Sequence, residues 1–101
     1  MNVVVPYEGP NNYHIYNQYV IRVDKRDELQ NSLRDQNVGT AIYYPVPLHL
    51  QPCYSGLGYR EGDLPESEKA AGEVLALPIY PELTSEQQES VLQLIKEFCA
   101  D

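Results

Sequence analysis

The sequence predicts an α+β fold, a small and mainly antiparallel sheet with its helices laid on one face. Short β-rich runs alternate with stretches whose apolar residues recur at helical spacing, and prolines close two of those runs before they can lengthen. Read along the chain, the order is strand, helix, strand, long loop, helix, short strand, helix. Packed together, such elements bury one stripe of each helix against one sheet face and leave the other face uncovered.

The first thirteen residues read as a connector, since the apolar run Val3 to Val5 leads into the turn formers Gly9, Pro10, Asn11 and Asn12. That run is either an extended edge segment or a linker from a larger body. From residue 14 a folded domain is expected to run to residue 101. His14 to Val23 alternates, with Ile15, Tyr19, Ile21 and Val23 on one parity and Tyr16, Val20 and Arg22 on the other, which is the pattern of a half-buried strand.

Asp24 stands at an N-cap position, Leu29 and Leu33 recur one helical turn apart, and Gly39 offers a stop, so a helix is predicted from Lys25 to Asn37. Thr40 to Tyr44 is a second strand that Pro45 and Pro47 must end, because proline donates nothing to a sheet ladder. Val46 to Leu64 has three glycines and little periodicity and reads as a long irregular loop. Asp63 and Pro65 open a second helix through Ala76, with Ala71, Val74 and Leu75 inward and Glu66, Glu68 and Lys69 outward. Ala76 to Tyr80 is a short strand. Thr84 and Gln87 form a capping box ahead of Val91, Leu92, Ile95 and Phe98, the inner stripe of a third helix. Tyr16, Val20 and part of the Ala41 to Tyr44 run are expected on the uncovered sheet face, where they make a partner surface.

Bulk properties narrow the function. Fifteen acidic against seven basic residues give a net charge of −8, which repels phosphate backbones and anionic lipid and argues against nucleic acid as a partner. No apolar stretch approaches the ~20 residues of a membrane span. Cys53 and Cys99 form neither a disulfide framework nor a Cys-x-x-Cys pair, so a soluble, cytoplasmic protein is expected. No zinc-type spacing, nucleophile elbow or glycine-rich phosphate loop is present.

What chemistry there is gathers in Tyr43-Tyr44-Pro45-Val46-Pro47-Leu48-His49-Leu50-Gln51-Pro52, at the exit of a strand. Prolines stiffen such a segment, so a phenol and an imidazole can be held in place at low entropic cost. His49 is then either a ligand-orienting group or a structural one.

Beyond this, His14 to Arg22, Arg26-Asp27-Glu28-Leu29, Tyr44-Pro45 with Pro47-Leu48-His49, Gly62-Asp63-Leu64-Pro65 with Glu68, and Leu77-Pro78-Ile79-Tyr80-Pro81-Glu82-Leu83 resemble, in order, the landmarks of the C-terminal region of DegT/DnrJ sugar-nucleotide aminotransferases. The resemblance implies the small domain of a fold-type I aminotransferase, whose full-length form uses pyridoxal phosphate to move an amino group to a keto sugar nucleotide. It implies Tyr44 and His49 as substrate-side groups, with Tyr43 and Gln51 behind them. None of Lys25, Lys69 and Lys96 matches the family's cofactor lysine, so the chain alone is expected to bind no cofactor and to be inactive. Its expected partner is a large cofactor-binding domain. The alternative is a free-standing, non-catalytic module that associates with itself through the uncovered sheet face.

Overall fold

The computed structural model describes residues 2–100. Three strands, β1 (Val3–Val4), β2 (Tyr19–Val23) and β3 (Val74–Leu77), form an antiparallel sheet in the order β1-β2-β3. Three α-helices accompany it, α1 (Arg26–Asp35), α2 (Pro65–Glu73) and α3 (Ser85–Cys99). The register pairs Val3 with Val23, Ile21 with Leu75 and Tyr19 with Leu77, so these residues share one face. On that face Ile21, Val23, Leu29, Leu33, Leu75 and Ile95 form the core, and Val91, Leu94 and Phe98 pack against it. Helices α1 and α3 therefore lie on one side of the sheet, as the apolar stripes predicted.

Several boundaries differ from expectation for identifiable reasons. β1 makes the Val3 to Val5 run an edge segment rather than a free linker. β2 starts at Tyr19, not at His14, because the preceding chain hooks: Tyr16 has φ of 51°, its N–H donates to His14 Nδ1 at 2.9 Å, and the two rings stack with centroids 4.2 Å apart. The hook also turns Tyr16 to the helical side of the sheet, where it borders a small apolar cleft with Tyr19, Leu77 and Val91, and not to the opposite face.

Asp24 does not cap α1; the N-cap is Lys25, without a side-chain bond. At the other end Asn37 takes the left-handed conformation expected of Gly39, with φ of 63°. Asn37 N–H donates to Arg34 O at 2.9 Å and Val38 N–H to Leu33 O at 2.8 Å, a Schellman closure that brings Val38 onto the core. The predicted strand Thr40 to Tyr44 shrinks to one bridge, Ala41 with Ala76, on the free edge of β3. The prolines draw the chain away before a second pair can form.

α2 ends at Glu73 and β3 begins at Val74, so the helix is three residues shorter than its apolar pattern suggested. Leu75 is a strand residue inside the core rather than the last turn of a helix. Arg26, buried at the start of α1, donates from Nη1 to Ala71 O at 2.8 Å and to Val74 O at 2.9 Å. It thereby satisfies carbonyls that the end of a helix leaves orphaned. Arg22 on β2 pairs with Glu73 at 2.9 Å. The sheet face opposite the core is not bare: Ala76 is buried and Val74 lines a cleft. For α3, the capping box is present as predicted, with Gln87 N–H to Thr84 Oγ1 at 3.1 Å and Thr84 N–H to Gln87 Oε1 at 2.9 Å. Of its predicted inner stripe Leu92 alone turns outward, 44% exposed.

Two substitutions test this packing. Leu75→Ala is expected to cost about 2–5 kcal/mol in urea unfolding, as a fully buried leucine does. Arg26→Met is expected to cost about 1–3 kcal/mol for each carbonyl left unpaired; an unchanged midpoint would show that water replaces the guanidinium.

Candidate functional site

Tyr43, Tyr44, His49 and Gln51, the four residues singled out in the sequence, all line one cleft of about 590 Å³. Its first wall is the proline-stiffened segment that leaves the Ala41 bridge. Its second is the loop beyond, which forms two short 3-10 turns at Leu48–Leu50 and Pro52–Leu57 and contributes Tyr54, Leu57 and Tyr59. Ser67, Ala70 and Ala71 of α2, with Val74 of β3, complete it. Small residues at 67, 70 and 71 leave space that larger ones would fill.

The four residues are held differently. Tyr44 stands out into solvent, 69% exposed, with the Tyr43 ring edge-on to it at 5.7 Å. Gln51 is spent on its own loop, donating from Nε2 to Val46 O at 3.4 Å. His49 is buried, with Nε2 3.1 Å from Glu68 Oε2 and the Tyr59 ring edge-on at 6.2 Å. Imidazole and carboxylate thus both belong to the cleft's architecture.

Glu68 is the residue that sequence reasoning missed, having been placed on the outer side of its helix. Its carboxylate accepts from the N–H of Gly62 at 2.8 and 3.0 Å and of Leu64 at 3.2 Å, besides His49. Gly62 presents its N–H from φ of 95°, which a side chain would strain. The Gly62 N–H bond, opposed by partial burial and helped by His49 and the Leu64 N–H, holds the Glu68 carboxyl below the usual glutamate value. Helical spacing contained the signal: Glu68 lies one turn before Ala71, the buried residue of α2. Tyr54 and Tyr59 were also missed, because nothing in the loop's pattern shows which tyrosines face inward.

A resident pyridoxal phosphate needs a lysine for its Schiff base and donors for its phosphate. Lys25, Lys69 and Lys96 are exposed and none lines the cleft. The nearby helix α2 opens on Pro65, which has no N–H to give. The residues of the cleft do not fit the cofactor by themselves. Among the described residues no His, Cys, Asp and Glu side chains cluster as metal ligands, and no helix is long and apolar enough to cross a membrane.

Comparison with known proteins bears on the family and the fold. The model of the DegT/DnrJ/EryC1/StrS aminotransferase family matches residues 2–96. A pleiotropic regulatory protein of Geobacillus stearothermophilus is 56% identical over 96 residues, which cover 95% of this chain and 26% of that protein. The dTDP-3-amino-3,4,6-trideoxy-alpha-D-glucose transaminase of Streptomyces venezuelae is 36% identical over 94 residues, 93% of this chain and 25% of that one. The crystal structure of S. venezuelae DesV in complex with a ketimine intermediate superposes with a TM-score of 0.91 at 35% identity, covering 95% of this chain and 26% of DesV. The chain spans about a quarter of the length of the curated relatives it matches.

The charge on Glu68 makes a prediction with a definite sign. A carboxyl lowered in the folded state contributes stability that is fully present above its unfolded value, near 4.5, and is lost as pH falls through the lower folded value. The difference in urea midpoint between the wild type and Glu68→Gln is therefore expected to be constant from about pH 7 to about pH 5 and to shrink below about pH 4.5. A difference that does not change with pH would remove the charge from the contact.

Proposed function

Because the chain belongs to the DegT/DnrJ/EryC1/StrS aminotransferase family, we propose that it forms the C-terminal, small-domain part of an aminotransferase that moves an amino group onto a keto sugar carried by a nucleotide. The family is pyridoxal-phosphate dependent. When bound, that cofactor supplies the electron sink for the transfer. In this reading it sits on a larger body outside this chain, and residues 14–101 supply the facing wall of the site.

The observation that carries the reading is the cleft itself, walled by tyrosines and one histidine and lined by no lysine. Phenol rings offer flat apolar faces with a hydroxyl at the edge, which suits a sugar ring. No arginine or lysine lines the cleft either, so it is better matched to the uncharged, hydroxylated ring than to the diphosphate. Tyr44 and His49 are the substrate-side groups, with Tyr43 and Gln51 behind them. Since Glu68 occupies His49 Nε2, it is Nδ1 that remains for a sugar hydroxyl.

The partner is the large cofactor-binding part. It meets this chain across the cleft mouth, where Tyr44, Leu48 and Leu57 are 66–69% exposed. A cytoplasmic location fits the free thiols of Cys53 and Cys99.

Two measurements test the proposal. Pyridoxal phosphate titrated into the 101-residue chain, followed by borohydride, is expected to trap no stoichiometric adduct; one on Lys25, Lys69 or Lys96 would mean that this chain carries its own cofactor site. Exchanging the matching quarter of the S. venezuelae transaminase for this chain is expected to keep transamination measurable. In that chimera His49→Ala is expected to lower kcat/KM about tenfold, the scale of one hydrogen bond, and unchanged kinetics would remove His49 from the substrate side.

A further inference from the structure

The segment from Val46 to Leu64 is long, and its own backbone bonds are short-range: Leu50 to Pro47, Gln51 to Leu48, Tyr54 to Gln51 and Asp63 to Arg60, at 2.9–3.2 Å. Its apolar side chains anchor it only weakly, since Leu48 and Leu57 are each more than half exposed, Leu50 is only half-buried, and no residue between 46 and 64 belongs to the main core or packs against it. Left to such contacts, a stretch of this length would sample many conformations. Both of its ends nevertheless meet at one group. His49 near the start and Gly62 and Leu64 at the finish all bond the Glu68 carboxylate, at 2.8–3.2 Å. Glu68 lies in the first turn of α2, where the helix favours negative charge.

We propose that Glu68 is the positioning residue of the cleft, a single carboxylate that closes the tyrosine-bearing loop and fixes the imidazole of His49 for a sugar ligand. An ionised carboxylate only accepts, so the His49 nitrogen facing it carries the proton. In the neutral ring the other nitrogen, Nδ1, is then the acceptor, free to take a hydrogen bond from a ligand hydroxyl. The same carboxylate sets the distance between the His49 wall and the Tyr59 wall, because the loop can open only by releasing Gly62 and Leu64. Loop closure and imidazole orientation thus become one event. The identity of the ligand rests on the function proposed above; the latch itself does not.

Nuclear magnetic resonance on the 101-residue chain separates the two. In Glu68→Ala the His49 ring nitrogens are expected to shift, and the Gly62 and Leu64 amides to exchange about tenfold faster, while the Leu29 and Leu75 amides in the core stay protected. Unchanged His49 nitrogens and unchanged loop amides in a folded variant would overturn the latch. Should Glu68→Ala fail to fold, Glu68→Gln decides: it keeps one acceptor oxygen without the charge, so exchange at Gly62 is expected to rise about threefold, and no rise overturns the proposal. Adding dTDP-glucose to the chimera with the S. venezuelae transaminase, in which both walls of the site are present, then reads the ligand, with the chimera that carries the unsubstituted chain as the wild type. The wild type is expected to show shifts at Tyr44, Tyr59 and His49, with apparent Kd about tenfold weaker in Glu68→Ala and partly restored in Glu68→Gln. Silence in the wild type would reject the sugar reading and leave the latch standing. Equal affinity in wild type and Glu68→Ala would reject the positioning role and leave the sugar reading standing.

Discussion

The junction of α2 with β3 is the constraint on which the rest of the structure depends. Helix becomes strand between Glu73 and Val74 with no residue to spare, so the direction of α2 is set by a strand locked into the sheet by Leu75. Such an abrupt change leaves carbonyls without partners, and Arg26 reaches over from the next element in space to take two of them. Burying a guanidinium is expensive unless its donors are used. Here Nε is used on the Asp27 carboxylate and Nη1 on two backbone carbonyls, which no side-chain substitution in α2 can remove. The start of α1, the end of α2 and the start of β3 are thereby fixed together, and α2 carries Ser67 and Ala70 to the cleft, and Glu68 to His49 behind its wall, from a rigid base.

From that base outward the kind of interaction changes. On the core side, α1, α3 and the sheet are joined by aliphatic side chains that exclude water. On the cleft side the joints are polar: Arg22 with Glu73, then Glu68 with three donors of the loop. The half-buried Arg22–Glu73 pair joins two elements but does not reach the loop. The Glu68 bonds act on groups that have few other partners, which is why one carboxylate can govern a whole loop. This division lets the loop change its tyrosines without disturbing Ile21, Leu29 or Leu75.

How much of this the sequence disclosed follows from where each signal is local. Leu29 and Leu33, or Thr84 with Gln87, announce themselves within one or two helical turns, and those elements were placed to within a few residues. The failures lie where tertiary contact overrides a local pattern. Val74 to Ala76 continue the helical stripe of α2, yet pairing with β2 claims them for the sheet. Tyr16 keeps strand parity on paper, but its own amide bonds back to His14 and ends the alternation. Asn37 took a position that glycine would ordinarily fill, because a Schellman closure at Leu33 left Val38 on the core. In the site, the four residues of the Tyr43 to Gln51 stretch were legible because prolines hold them together in sequence. Glu68 was not, because the cleft residue it holds, His49, is nineteen residues away. A glutamate in a helix pattern reads as solvated, as most are.

The fit between this chain and its proposed role turns on what the cleft lacks. Its wall presents four phenols, an imidazole already engaged and apolar edges, with no cation to neutralise phosphate and no amine to form an imine. A wall of this composition can orient a neutral ring and exclude water on one side. Tyr44, Leu48 and Leu57 protrude at its rim with more apolar surface than a self-contained site would leave in water. Both features have the same explanation if the opposite wall comes from another body: the charged chemistry resides there, and the rim side chains become buried when the two walls meet. On this view the small domain would shape the site and the larger one react, and the lack of lysine and arginine in the cleft lining follows from that division.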